Sequence, residues 1–256
     1  MTDISASAVA SLRARTGVSI LACKDALIEA NGDEEKAIEI LRKRGISQAA
    51  KKADRDQAEG RVFVADEGGK AAIVLLKCET DFVARETAFQ ELGKELAHAL
   101  LHSGKDHAHA KAGESLPELV QKLGENITLG HVELVEAPVI GTYVHSNSKI
   151  GVIVGADGGT VEAARDVAMH AAAMSPSYTS PDDISEETVS KEKEIWKEQL
   201  KREGKPEAIW DKIMMGKEKK FREENALIKQ AFVKDPSKTV EQYLGAKVTA
   251  YVRLAA

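Results

Sequence analysis

The chain has 256 residues, with 36 Lys and Arg against 41 Asp and Glu, for a formal net charge of −5. Hydrophobic residues are 43 % and charged residues 30 %, which supplies a core and excludes wholesale disorder, since disorder needs low hydrophobicity with high net charge. Aromatics are only 4 %, and a mildly acidic chain so poor in them lacks the basic stacking groove of a single-strand nucleic-acid binder.

Met1 to Ser11 has no basic region leading into an apolar core, so no secretory leader is expected. No run approaches the ~18 apolar residues of a membrane span. Residues 1–45 read as three short helices. Ile4, Ala8, Val9 and Leu12 are helically spaced, and Thr16-Gly17 ends that pattern. Ile20, Leu21, Ala26, Leu27 and Ile28 form a second helix, stopped by Asn31-Gly32. Asp33 begins a third, with Glu34 and Glu35 in its first turn and Ala37, Ile38, Ile40 and Leu41 as its apolar face. Arg42, Lys43 and Arg44 suit the negative end of its dipole, and Gly45 is the expected C-cap. So small a unit is expected to dock on a partner or on the next domain. Residues 46–59 are polar and Ala-rich, a linker that is partly helical.

The period then changes. Val62 and Val64, a turn at Asp66-Glu67-Gly68-Gly69, and Ala72 to Leu76 make a β-hairpin signal. A helix with Phe89, Leu92, Leu96 and Leu100 follows, then a helical segment Leu116–Leu123 and a strand Ile127–Val135. The arrangement recurs in Val139–Val144, a turn at His145–Lys149, Ile150–Val154, and a helix with Val161, Ala164, Ala168 and Ala171 on one face. A last strand, Lys247–Leu254, completes the second sheet. The core is thus two antiparallel-sheet-plus-helix subdomains, residues 60–138 and residues 139–184 with 226–256, and the fold class is α+β.

Between the two parts of the second subdomain, residues 185–225 carry 11 basic and 11 acidic residues and break at Gly204-Lys205-Pro206. They read as a protruding antiparallel helical hairpin. Glu187/Lys191, Glu198/Arg202 and Glu218/Arg222 are i,i+4 pairs, each worth roughly 0.3 kcal/mol. Val189, Trp196, Leu200, Ile209, Trp210, Ile213 and Phe221 are placed on its seam.

Few groups suggest chemistry. Four of the seven histidines lie between His98 and His109. His98 and His102 are helically spaced and His107 and His109 are read in a polar loop, but no Glu or Cys completes a zinc pattern. Gly68-Gly69-Lys70 lacks the other glycine and the hydroxyl of a phosphate loop, and Gly155-Ala-Asp-Gly-Gly lacks the dinucleotide fingerprint. Cys23 and Cys78 sit in apolar patterns and make no disulfide framework, which points to a reducing cytoplasm. No cofactor, bound nucleotide, metal or catalytic set is expected. The segment Cys78-Glu79-Thr80-Asp81-Phe82-Val83-Ala84 stands at the strand-to-helix junction of the first unit. Either Thr80 or Asp81 caps the helix while Phe82 and Val83 pack on the sheet, or the segment is an exposed tip that wedges into a partner.

Taken together, CETDFVA, CKDALIEANGDEEKAIEILRKRG, HS-x-x-KIGVIV and FVKDPSKTVEQYL resemble the bacterial translation elongation factor Ts family over nearly the whole chain. The resemblance implies a ubiquitin-associated-like N-terminal module and a cytoplasmic guanine-nucleotide exchange factor, not an enzyme, whose partner is the GTPase elongation factor Tu. It places Thr80, Asp81, Phe82 and Val83 near the partner's Mg²⁺ site, with Phe82 between switch-region helices. It gives Ile20 and Leu21 the docking of the N-terminal module, and brings His145 toward the partner. No nucleic acid, membrane or nucleotide of its own is implied. Many members continue past the last strand as a helical module, whereas this sequence stops at Ala256, so that contact is expected to be absent or reduced. The N-terminal module alone leaves a second reading, a binding adaptor for another protein. A third, a metallohydrolase built on the histidines, would require stoichiometric zinc.

Overall fold

The computed structural model describes residues 4–256; residues 1–3, where the segment read for a leader begins, lie outside the described residues. Three helices come first, α1 (Ala6–Thr16), α2 (Ile20–Glu29) and α3 (Glu34–Lys52). Each starts on a side-chain oxygen, of Ser5, Ser19 and Asp33, that accepts from the backbone N–H three residues on. Leu12, Val18, Cys23, Leu27, Ala37 and Leu41 close a small core between them.

The first sheet contains β1 (Glu59–Glu67), β2 (Lys70–Cys78) and, after helices α4 (Asp81–Arg85) and α5 (Thr87–Leu123), β3 (Thr128–Glu136). Its order is β1-β2-β3 and both pairings are antiparallel. Phe89, Leu92, Leu96 and Leu100 pack α5 against Phe63, Val74 and Leu76. Gly104, at φ 82 and ψ −179, joins two helices within α5 across a kink. His107 and His109, read in a polar loop, lie instead in the second helical half of α5. Ala108 and Ala112, buried one turn apart, hold that half in place, and their small side chains are inconspicuous among His and Lys.

The expected helix stop at Gly45 is absent, because α3 continues to Lys52. Gly45 is buried, and a Cβ there would lie 2.8 Å from the Pro117 carbonyl oxygen of α5. Close packing against α5 outweighs a helix cost of about 1 kcal/mol for glycine.

The second sheet has β4 (Val139–Val144) and β5 (Ile150–Ala156), followed by α6 (Val161–Met174). The chain then makes the hairpin of α7 (Glu186–Arg202) and α8 (Trp210–Asn225), a small ribbon of β6 (Ala231–Phe232) and β7 (Asp235–Thr239), α9 (Val240–Leu244), and β8 (Val248–Ala255). The order is β4-β5-β8, again antiparallel. Ala164, Ala168 and Ala171 are fully buried, whereas Val161 faces water. A Cβ on Gly141 of β4 would lie 2.1 Å from the backbone of Ala164, so α6 rests directly on the sheet. Val62, Ile73, Leu75, Ile153 and Leu254 join the two sheets.

In the hairpin, Trp196, Leu200 and Met214 are buried beside Trp210, Ile213 and Phe221. Ile209, placed on the seam from the sequence, is 43 % exposed and outside the hairpin core, and Met214 packs there instead. The rings of Trp196 and Phe221 meet edge-on at 5.8 Å. Glu187–Lys191 and Glu218–Arg222 pair at 2.7 and 3.1 Å; Glu198 and Arg202 do not come within ion-pair distance. Arg222 also donates to the carbonyls of Pro181 and Ile184, fixing the base of the hairpin.

Candidate functional site

At the end of β2 the chain leaves the sheet. Thr80 is extended (φ −126, ψ 157), and its hydroxyl oxygen accepts from Val83 N–H at 3.4 Å. Thr80 is therefore the cap of α4, and Asp81 instead pairs with Arg85 at 2.7 Å. Val83 and Ala84 turn inward to the first core. Phe82 lies on the opposite side of the turn, and its residue surface is 77 % exposed. At Glu86 the backbone is extended again (φ −61, ψ 137) before α5 starts. Two changes of direction within a few residues thus make a knuckle that presents one aromatic ring.

A residue the sequence did not single out stands behind it. Gly124 closes α5 in the left-handed region (φ 81), a conformation open to glycine, and turns the chain toward β2. The Glu125 carboxylate then accepts from Glu79 N–H at 3.1 Å, Thr80 N–H at 3.0 Å and the Thr80 hydroxyl at 2.6 Å. In return, Glu79 Oε1 accepts from Asn126 N–H at 2.7 Å. Asn126 is buried, and its side-chain amide donates to the carbonyls of Ala53 and Arg55. Below the knuckle, the Cys78 thiol donates to Thr80 O at 3.2 Å. Burial first, then the carboxylates of Glu125 and Glu59, push that thiol up to about 12, so it stays protonated and inert.

The other expected site residues sit on separate elements. Ile20 and Leu21, 57 % and 68 % exposed, open α2 just after its Ser19 cap. His145 is exposed on the β4–β5 turn, where its Nδ1 lies 2.9 Å from the Tyr143 hydroxyl. The structure thus groups Thr80 to Val83 in one turn, with Val83 buried under Phe82. Glu125 was hidden because it meets Thr80 from 45 residues away; the only local trace is a glycine helix stop followed by an acid and an amide.

His98 and His102 stack at 6.2 Å between ring centroids. Among the described residues, no group of three or more His, Cys, Asp and Glu is placed to hold a metal ion, and no helix is long and apolar enough to cross a membrane. His170 is fully buried in the second subdomain, between Val233 N–H, which donates to its Nδ1 at 3.1 Å, and Gln230 Oε1, 2.9 Å from its Nε2. Burial lowers its pKa, and the Gln230 contact opposes this in part.

The fold is three N-terminal helices, two sheet-plus-helix subdomains and a helical hairpin, and its knuckle leaves one aromatic ring, Phe82, exposed to solvent. The family model described as elongation factor TS matches residues 79–256. The chain is 44 % identical over 270 aligned positions to an elongation factor Ts of Hahella chejuensis, covering 99 % of this chain and 92 % of that one. It is 47 % identical over 262 positions to an elongation factor Ts of Teredinibacter turnerae, covering 98 % and 89 %. The chain belongs to the elongation factor Ts family.

Proposed function

We propose that the turn from Thr80 to Val83 is the part of this chain that drives GDP from elongation factor Tu. As a member of its family, the chain is a guanine-nucleotide exchange factor for that GTPase and carries out no covalent step. Phe82 inserts between switch-region helices of the partner, Asp81 comes beside the partner's Mg²⁺ site, and the disturbed backbone dislodges the ion. Thr80 sets the direction of the turn, and Val83 anchors it from below. Ile20 and Leu21 dock the N-terminal module on the GTPase domain, and His145 makes a further contact from the second subdomain.

The energetics fit this division of work. Mg²⁺ bridges the nucleotide phosphates to the GTPase, so its loss loosens GDP. A factor that binds the nucleotide-free state better than the GDP state shifts the equilibrium by its differential affinity. Reciprocity then requires that GDP weaken the factor's own binding. The observation that carries the reading is the contrast between Phe82, 77 % exposed, and its neighbour Val83, 8 % exposed. Burying an exposed phenylalanine yields about 1.5–3 kcal/mol, and here that gain is left for the partner. The test is release of a fluorescent GDP analogue from elongation factor Tu. Adding this chain accelerates release; an unchanged rate would overturn the reading.

A further inference from the structure

We infer that Glu125 is the positioning residue of the exchange tip, holding Phe82 in its presented direction through Thr80. The inference rests on the reading that Phe82 is the working group. The last register pair of β1 with β2 is Glu59 with Cys78, so the N–H groups of Glu79 and Thr80 lie beyond that ladder. The Glu125 carboxylate takes both of them and the Thr80 hydroxyl. Bonds to an ionised acceptor are stronger than neutral ones, and three of them fix the backbone of Thr80, from which α4 and Phe82 project. They also orient the hydroxyl. Its hydrogen points to Glu125, which leaves an oxygen lone pair for Val83 N–H, the bond that starts α4.

Glu125 is itself held from both sides. Lys52 Nζ donates to Gly124 O, Asn126 N–H donates to Glu79 Oε1, and the Asn126 amide donates to Ala53 O and Arg55 O. Lys52 is the last residue of α3. The clamp therefore ties the tip to the same frame as the helix that leads out of the N-terminal module.

A merely structural glutamate would lower stability without acting through Phe82, and a double-mutant cycle in the full chain separates the two cases. Glu125→Ala slows catalysed release of the GDP analogue about tenfold, the loss of roughly one charge-assisted bond. Glu125→Gln retains most of the rate, because its oxygen can serve both N–H groups and its amide can donate to the Thr80 hydroxyl. In a Phe82→Ala background, Glu125→Ala has a clearly smaller effect on release, what is left acting through Asp81 on the same turn. An equal loss in both backgrounds, or no loss in the wild type, would overturn the inference while leaving the Phe82 reading intact. A silent Phe82→Ala would instead remove the reading, and this inference with it. Amide hydrogen exchange on the unaltered chain gives a readout independent of how Glu125→Ala folds. The N–H groups of Glu79 and Thr80 are protected; exchange as fast as an open turn would contradict the clamp.

Discussion

The two sheet-plus-helix subdomains start alike and end differently. In each, a β-hairpin feeds a helix whose first N–H groups are met by a threonine, Thr80 in one and Thr160 in the other, at 3.4 and 3.1 Å. After the cap they diverge. In the second subdomain α6 runs unbroken for 14 residues and lies flush on β4 at Gly141. Its first turn exposes Val161 and, at the position after the cap that matches Phe82, the charged Glu162. Its entry loop is tied by Asp157, which accepts from Lys247 N–H and donates its own N–H to Lys247 O. In the first subdomain α4 lasts five residues, the backbone extends at Glu86, and the residue turned outward is Phe82. Its entry is held by Glu125. One architecture thus serves packing in one copy and presentation in the other. The difference lies in where the helix is interrupted and what is exposed on its first turn.

The comparison can be broken at several points. The largest stability effect is expected from Gly141→Ala, which places a methyl group against the backbone of Ala164. It costs about 3 kcal/mol in urea unfolding; a cost below about 1 kcal/mol would show that α6 does not depend on that contact. Thr80→Ala and Thr160→Ala each lose about 1 kcal/mol as caps. Only Thr80→Ala also slows GDP release, and equal exchange by the two variants would erase the functional distinction. The buried His170 gives the second subdomain a pH dependence. Its folded pKa lies below the ordinary 6.5, so the neutral form contributes stability that is fully present above 6.5 and is lost as pH falls from there through the lower folded value. His170→Gln flattens that part of a pH–stability curve, and an unchanged slope would assign it to other groups. The smallest effect belongs to Val161→Ala, within about 0.5 kcal/mol and without change in exchange.

Much of this was legible in the sequence because it was local. Gly17 and Asn31-Gly32 mark real helix ends, and both hairpins and the final strand follow from alternation and turn residues. The junction at Cys78–Ala84 was identified, but its own residues left open whether Phe82 was core or tip. The structure separates Phe82 from Val83, which a five-residue helix with one face on a sheet must do. What escaped was long-range. Gly45 resembles a helix stop until Pro117 comes against it. Ala108 and Ala112 become a helix face only when the first core covers them. Val161 lies outside the packed stripe that Ala164 begins, and Met214 replaces Ile209 in the hairpin core. Glu125 meets its partners only after α5 has brought it back to the start of α4.

The most direct test sets Phe82 against Val161, an exposed apolar residue on the first turn of the other subdomain's helix, in one assay. Release of a fluorescent GDP analogue from elongation factor Tu is measured with the unaltered chain, Phe82→Ala and Val161→Ala, all shown to be folded by thermal melting. The account predicts that Phe82→Ala lowers the accelerated rate about thirtyfold, the loss of an aromatic anchor worth ~2 kcal/mol, with its melting temperature kept, while Val161→Ala matches the unaltered chain. Undiminished exchange by Phe82→Ala would contradict it.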